Sequence, residues 1–164
     1  MKIFIICLLT LFYLFRVDAI AQKYDNKSTS LKGKKVLLYY KNGKGYVHDN
    51  ILASRNAFIK LGTEQKFSLD TSSNPVVFNE ENLKQYHAIV FSNTNNDVFD
   101  TESQKLAFMR YIQAGGGFVG IHSACGTERS WHWFKQMLGG TFLVHPPFQE
   151  FNVLVLSTTN TLNS

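Results

Sequence analysis

Cysteine is scarce in this chain of 164 residues, which holds only Cys7 and Cys125. Cys7 falls within an apolar N-terminal run that we interpret as part of a cleaved signal peptide, so the mature chain keeps one thiol. One thiol cannot form an internal disulfide, and an intrachain disulfide framework is therefore excluded. The stability of the mature chain must come from packing.

The chain also lacks a concentrated basic surface. Its net charge is +5, but the lysines are scattered along the sequence and are not interleaved with aromatic residues in one stretch. A nucleic-acid-binding protein would gather such charges into a patch or a stripe. We therefore expect no nucleic-acid partner, because a mildly basic solvated surface accounts for the charge.

The longest apolar run is too short to anchor the chain in a membrane. Residues 3–15 are apolar apart from Thr10, and as a helix they would reach about 20 Å against a hydrocarbon core of about 30 Å. Arg16 and Asp18 end the run, and Ala19-Ile20-Ala21 is a small-x-small cleavage pattern. We predict a signal peptide over 1–21, a flexible leader over 22–33, no stable anchor after cleavage, and a periplasmic or secreted location.

Strands alternate with helices in the rest of the chain. Continuous apolar runs at 36–40, 88–91 and 118–121 are typical of strands buried on both faces of a parallel sheet. The pattern also predicts helices at 48–61, 79–86 and 131–138, a helix opened by Thr101, and further strands at 67–70 and 151–156. Such alternation implies right-handed crossovers. We predict an α/β, flavodoxin-like, doubly wound and mostly parallel sheet with helices on both faces.

Two of these helices carry clear signals for where they begin or end. Gly62 is expected to stop the first helix. Thr101 and Gln104 fit a capping box, in which each side chain satisfies the backbone amide of the other residue. The buried stripe of the helix that follows is predicted to consist of Leu106, Met109 and Ile112.

The predicted strand at 151–156 stands at the end of the sequence. Flavodoxin-like domains need further elements to cover such a strand, so we expect the domain over 34–164 to be partial. Residues 153–156 would then leave an uncovered apolar edge, which favours pairing with another chain. We therefore expect self-association of the mature chain.

Three polar segments follow predicted strands, at the sheet edge where parallel α/β proteins bind ligands. Tyr46-Val47-His48 follows the first strand, residues 93–97 follow the third, and Gly120-Ile121-His122-Ser123-Ala124 closes the fourth. The last segment places small residues around a central one, as in a nucleophile elbow, which projects its central side chain over the sheet. His122 occupies that central position.

A histidine at this position argues against covalent catalysis. His122 has no hydroxyl or thiol to attack a carbonyl, so general acid–base work or metal ligation through a neutral ring nitrogen is favoured. Cys125 lies off the projecting position and has no identifiable partner base, which disfavours a catalytic thiol. The structural alternatives are a helix-start role for His48 and a turn role for His145, which precedes two prolines.

These motifs together resemble one known family. The segment at 45–51 (Gly-Tyr-Val-His-Asp-Asn-Ile), the run at 115–124 (Gly-Gly-Gly-Phe-Val-Gly-Ile-His-Ser-Ala) and His145-Pro146 are similar to the ThuA-like (trehalose-utilisation) domain family. The resemblance runs from about Lys34 to the C-terminus. It implies the class I glutamine amidotransferase-like fold, which is flavodoxin-like, and a role in carbohydrate use, often of sugars oxidised at a ring hydroxyl.

The resemblance carries over His48 and His122 as catalytic residues, with His145 as a further site residue. Three positions depart from the family pattern: Asn50 stands where a serine is usual, Asn96 where a glycine is expected, and Cys125 where a polar residue is more usual. The later strands of the family, with their own histidine and aromatic motifs, are also expected to be missing.

The sequence leaves several functions open. The first is an exported protein that acts on or binds a small carbohydrate, including keto disaccharides, around His122 and His48. A divalent metal such as zinc would need a third ligand beside these two, which either His145 or the missing part of the domain would supply. The alternatives are a non-catalytic sugar-binding or interaction module and an inactive fragment. The predicted substrate-binding residues are Asn93, Asn95, Asp97 and Ser123, and for the first three a plain polar loop is the competing interpretation.

Overall fold

A computed structural model describes residues 30–154 of the chain. The predicted signal peptide, residues 22–29 of the predicted leader and the last two residues of the predicted strand at 151–156 lie outside the described residues. Within residues 30–154, no helix combines the length and the apolar character needed to span a membrane.

Four parallel strands form one sheet: β1 (Lys35–Tyr39), β2 (Ser68–Ser72), β3 (Ala88–Ser92) and β4 (Gly117–Ile121). Their spatial order is β2-β1-β3-β4, so the strand order reverses beside β1. Leu37 of β1 is paired with Asp70 on one side and with Ile89 on the other. This is the order of a doubly wound, flavodoxin-like sheet, and the predicted fold class is confirmed.

The crossovers between the strands contain helices of unequal length: α1 (Ile51–Gln65), α2 (Glu80–Leu83) and α3 (Glu102–Gln113). A further helix, α4 (His132–Leu138), follows β4. Short 3₁₀ turns occupy Pro75–Val77 and His122–Gly126. The predicted capping box of α3 is present, since Thr101 accepts from the Gln104 amide and Gln104 accepts from the Thr101 amide. Gly139, at a φ of 80°, ends α4.

The core lies around the two central strands. Leu38 of β1 and Phe91 of β3 are fully buried, because both faces of the inner strands are covered. Phe91 packs against a set of aromatic rings at centroid distances of 5.2–6.1 Å: Tyr39, Phe78, Phe99, Phe108, Phe118 and Phe134. Aromatic pairs at these separations add to the stability gained from burial. The sheet edge that carries the polar segments is therefore held on a rigid base.

The first helix does not stop where the sequence indicated. It begins at Ile51 and runs to Gln65, and Lys66 ends it in the left-handed region at a φ of 62°. Gly62 is buried inside the helix, where a Cβ atom would lie 3.2 Å from the backbone oxygen of Phe67 and 3.3 Å from its ring. The glycine thus serves a close approach of the chain, and its prediction as a stop signal was wrong.

Two further expectations are corrected. In α3 the buried residues are Ala107 and Phe108, and the ring of Phe108 stacks on Phe91. Of the predicted stripe, Leu106 is 38% exposed, whereas Ile112 is partly buried and packs against the core. Residues 151–154 are not in a strand and their apolar side chains are exposed. No strand of the described sheet pairs with this segment, so its backbone N–H and C=O groups make no hydrogen bonds to a neighbouring strand.

Candidate functional site

The polar segments after β1, β3 and β4 meet at one edge of the sheet. Strand pairing continues beyond the regular strands through two isolated bridges, one between Asn42 and Asn95 and one between Asn96 and Thr127. These bridges hold the three loops side by side, as expected at the carboxyl ends of parallel strands. The edge is thus a continuous surface made by three separate parts of the chain.

His122 stands at the turn after β4 in a strained backbone conformation. Its φ is 54°, in the left-handed region that non-glycine residues seldom occupy. Strain of this kind is stored where the surrounding structure requires a side chain in a particular place. The imidazole is exposed, so the turn presents it over the sheet edge in the manner that the elbow pattern predicted.

His48 is brought to His122 from the loop after β1. The two imidazole rings are 4.4 Å apart at their centroids and nearly perpendicular, at 72°. The ring of Tyr46 packs on the other side of His48 at 4.9 Å. His48 lies outside the helix, which begins three residues later at Ile51. A role in starting α1 therefore does not account for its placement.

The surroundings of His48 favour its neutral form. Partial burial holds the pKa of His48 below its ordinary value of 6.5. Positive charge on His122 and on His145 lowers that pKa further, whereas the carboxylate of Asp49 acts in the opposite direction. A neutral imidazole at neutral pH can donate through one ring nitrogen and accept through the other, as proton transfer requires.

A cavity of about 710 Å³ opens over the histidine pair. Five residues proposed from the sequence line it: His48, His122, His145, Asn95 and Ser123. Its volume is in the range of cavities that hold small ligands. Within the described residues the buried hydroxyl of Ser123 has no hydrogen-bond partner.

The remaining two predicted substrate-binding residues lie elsewhere. Asn93 is only 1% exposed and sits beneath His122, with its Oδ1 3.1 Å from the Nδ1 of that ring. Asp97 is exposed, but it does not line the cavity. The structure therefore brings Asn95 and Ser123 to the cavity wall, and it places Asn93 where it contacts a histidine.

Five lining residues were not proposed as site residues from the sequence: Tyr46, Asn96, Cys125, Arg129 and Phe142. Arg129 donates to Oδ1 of Asn95 at 3.1 Å and lies over the ring of Phe142 at 5.6 Å. Tyr46 and Asn96 lie in two of the polar segments that follow predicted strands, and this location could have identified them as site residues. Arg129 and Phe142 follow β4 by several residues and carry no motif that marks them.

Two of the loops at the site are joined by a network of hydrogen bonds. The backbone of Asn96 exchanges two hydrogen bonds with the turn after β4, donating to Gly126 and accepting from Glu128, both at 3.0 Å. The carboxylate of Glu128, which is fully buried, accepts from the amides of Val98 and Phe99 at 2.8 and 3.2 Å. The loop that carries Asn95 is thereby fixed against the turn that carries His122.

The histidines at the cavity are the side chains that could bind zinc. His48 and His122 are close enough to serve together, and His145 lines the same cavity. However, residues 30–154 contain no group of three or more histidine, cysteine, aspartate or glutamate side chains arranged to hold a metal ion. Structural and catalytic zinc sites need at least three such protein ligands. The described residues do not form that set, and the zinc hypothesis stays a prediction.

The fold and the site together define a flavodoxin-like α/β protein with a histidine pair at the carboxyl edge of its sheet. Residues 35–163 match the model of the ThuA family, described as trehalose utilisation. The chain therefore belongs to the ThuA family, and the resemblance seen in its motifs is confirmed.

A solved structure supports the same assignment. The crystal structure of a ThuA-like protein from Bacteroides uniformis ATCC 8492 is similar to this chain with a TM-score of 0.53 and 28% sequence identity. The match covers 68% of this chain and 46% of that protein, so this chain spans less than half the length of the solved relative. A search of curated proteins gave no match.

Proposed function

We propose that this chain is an exported ThuA-family protein that binds a small carbohydrate in the cavity and transfers a proton to or from it through His122. The observation that carries the proposal is the pair formed by His48 and His122, whose rings meet at 4.4 Å over the cavity although they come from different strand ends. Two imidazoles facing one cavity are suited to general acid–base catalysis.

The cavity wall supports a polyhydroxylated ligand. Amide groups of Asn95 and Asn96 and the hydroxyl of Ser123 supply donors and acceptors. The rings of Tyr46 and Phe142 supply apolar faces. This mixture suits a sugar, which presents hydroxyl groups at its rim and C–H groups on its faces. Membership of a family described as trehalose utilisation supports the same class of ligand.

Keto forms of disaccharides are the substrates that fit acid–base chemistry best. A C–H group next to a ketone is more acidic than an ordinary C–H group. A neutral imidazole can therefore accept its proton while the electron pair of the C–H bond moves towards the carbonyl oxygen. No side chain at the elbow position can form a covalent bond with a carbonyl. His48, whose pKa is lowered, remains neutral at pH 7 and is the second group available to donate or accept a proton.

Deuterium exchange tests this function directly. A panel of disaccharides and their keto forms would be incubated with the protein in deuterated water and followed by proton NMR. We expect enzyme-dependent exchange next to the ketone, and a loss of about 10²–10⁴-fold in rate for His122→Asn. His132→Asn is the matched control, because His132 is exposed on α4 and does not line the cavity.

The competing function is a binding module without turnover. Saturable binding of a sugar with neither exchange nor product formation would support that module and overturn the catalytic role of His122. Absence of binding across the whole panel would overturn the carbohydrate proposal itself.

The proposal of export rests on residues 1–21, which lie outside the described residues. Their charged start, short apolar run and Ala19-Ile20-Ala21 pattern support cleavage before Gln22. Intact-mass measurement of protein recovered outside the cytoplasm should show the loss of these residues. A full-length mass in the membrane fraction would contradict cleavage.

A further inference from the structure

The side chain of Asn93 is buried in a position where it can control the chemistry of His122. It is 1% exposed, and its backbone amide donates to the Ile121 carbonyl at 3.2 Å, which ties the end of β3 to the end of β4. Its φ of 54° lies in the left-handed region. Asn93 therefore does not face a ligand, and its side-chain oxygen is 3.1 Å from the Nδ1 atom of His122.

The structure places the amide nitrogen of Asn93 towards Ser92 and its amide oxygen towards His122. Its Nδ2 donates to the Ser92 hydroxyl at 3.2 Å, and that hydroxyl is 2.7 Å from the hydroxyl of Ser54 on α1. With the amide nitrogen on Ser92, the amide oxygen faces His122. An amide oxygen can only accept a hydrogen bond, so the Nδ1 atom of His122 must be the donor. In the neutral ring, the Nε2 atom then carries the free electron pair.

We infer that Asn93 is a positioning residue that holds His122 as the Nδ1–H tautomer and thereby makes Nε2 the atom that exchanges protons with a ligand. The tautomer follows from this orientation of the Asn93 amide and does not depend on any ligand. The role of Nε2 towards a ligand rests on the proposed function of the site. A series of hydrogen bonds thus links α1 to the imidazole through Ser54, Ser92 and Asn93. None of these three residues lines the cavity.

The protein contains an internal reference with the opposite tautomer. Nδ1 of His87 accepts a hydrogen bond from the Lys35 amide at 3.1 Å. A ring nitrogen that accepts carries no hydrogen, so His87 must be the Nε2–H tautomer when neutral. One spectrum should therefore show both tautomers, one for each of these two histidines.

Nitrogen-15 NMR of the imidazole rings tests the inference without any ligand. The spectrum would be recorded at about pH 8.5, roughly two units above the ordinary histidine pKa, so that the rings are neutral. We expect Nδ1–H for His122 and Nε2–H for His87. An Nε2–H signal for His122 would mean that the amide of Asn93 is reversed, and the inference would be overturned whether or not the protein acts on sugars.

Two variants separate positioning from packing. Asn93→Asp keeps an acceptor oxygen and should keep the Nδ1–H tautomer, whereas Asn93→Leu removes the acceptor and should abolish that preference. Where keto-sugar exchange is found in the wild type, Asn93→Leu should lower kcat by about 10–100-fold with a smaller change in KM, and Asn93→Asp should restore part of it. An unchanged His122 tautomer in Asn93→Leu would refute the inference, whereas wild-type Nδ1–H without sugar exchange would refute only the proposed function.

Discussion

Glu128 provides a sharp test of how the loops at the site are held. Its carboxylate is completely buried, accepts two backbone hydrogen bonds through Oε1, and lies 3.4 Å from the Lys105 ammonium through Oε2. Replacement by alanine removes the acceptor for two amides, those of Val98 and Phe99, which are themselves buried. Each unsatisfied buried amide costs about 1–3 kcal/mol.

The expected effect of Glu128→Ala is therefore a loss of about 2–6 kcal/mol in the free energy of unfolding. This is a large share of the roughly 5–15 kcal/mol that stabilises a typical domain. Glu128→Gln should lose less, about 2 kcal/mol, because its amide oxygen still accepts both hydrogen bonds but without the added strength of a charge. The stability order should be wild type, then glutamine, then alanine.

Urea unfolding followed by tryptophan fluorescence would measure this order, provided that the slope with urea is unchanged between variants. Glu64→Gln is the matched control, because Glu64 is 53% exposed and 3.8 Å from Lys60. Loss of such a surface pair should cost less than about 0.5 kcal/mol. If Glu128→Ala lies within about 1 kcal/mol of the wild type, the loop network does not hold the site in the way described.

Three further predictions follow from the same structure. Removal of the His122 charge by His122→Ala should raise the pKa of His48 towards 6.5, measured by NMR titration; an unchanged value would show that the rings are not coupled. Gly116→Ala should lower the free energy of unfolding by about 1–3 kcal/mol, measured by thermal unfolding, because the new Cβ would lie 2.3 Å from the Tyr111 ring. Gly140→Ala is the control: it has open space around it and should change that free energy by less than about 0.5 kcal/mol. The apolar side chains at 151, 153 and 154 are 76–80% exposed, so light scattering should reveal concentration-dependent self-association; a heat-resistant monomer would contradict this.

Local patterns were sufficient to predict the fold class and the two inner strands. The apolar runs that became β1 and β3 are buried on both faces, and this is what a continuous run indicates. The capping box of α3 is equally local, because its partners are three residues apart. Alternation of strands and helices then left few topologies, and the observed strand order is the flavodoxin-like one.

Other features depend on contacts between distant residues, which a pattern does not contain. Gly62 lies inside α1 because the chain returns past it at Phe67. The wall position of Arg129 depends on its contacts with Asn95 and Phe142 after folding. Asn93 was grouped with residues that bind substrate, because its sequence position after β3 does not reveal that its side chain turns beneath His122.

Five residues other than glycine adopt a positive φ within residues 30–154, and four of them surround the site: Asn93, Asn96, His122 and Glu128, at 47–56°. Glycine would relieve backbone strain of roughly 1–3 kcal/mol at such a position. At Glu128 the loss of the two hydrogen bonds to its carboxylate would outweigh that gain. Selection of random variants for heat tolerance alone should therefore enrich glycine first at Asn96, where family resemblance also expects it. The same pressure at His122 would delete the imidazole, so selection for heat tolerance would act against the proton transfer proposed for this residue.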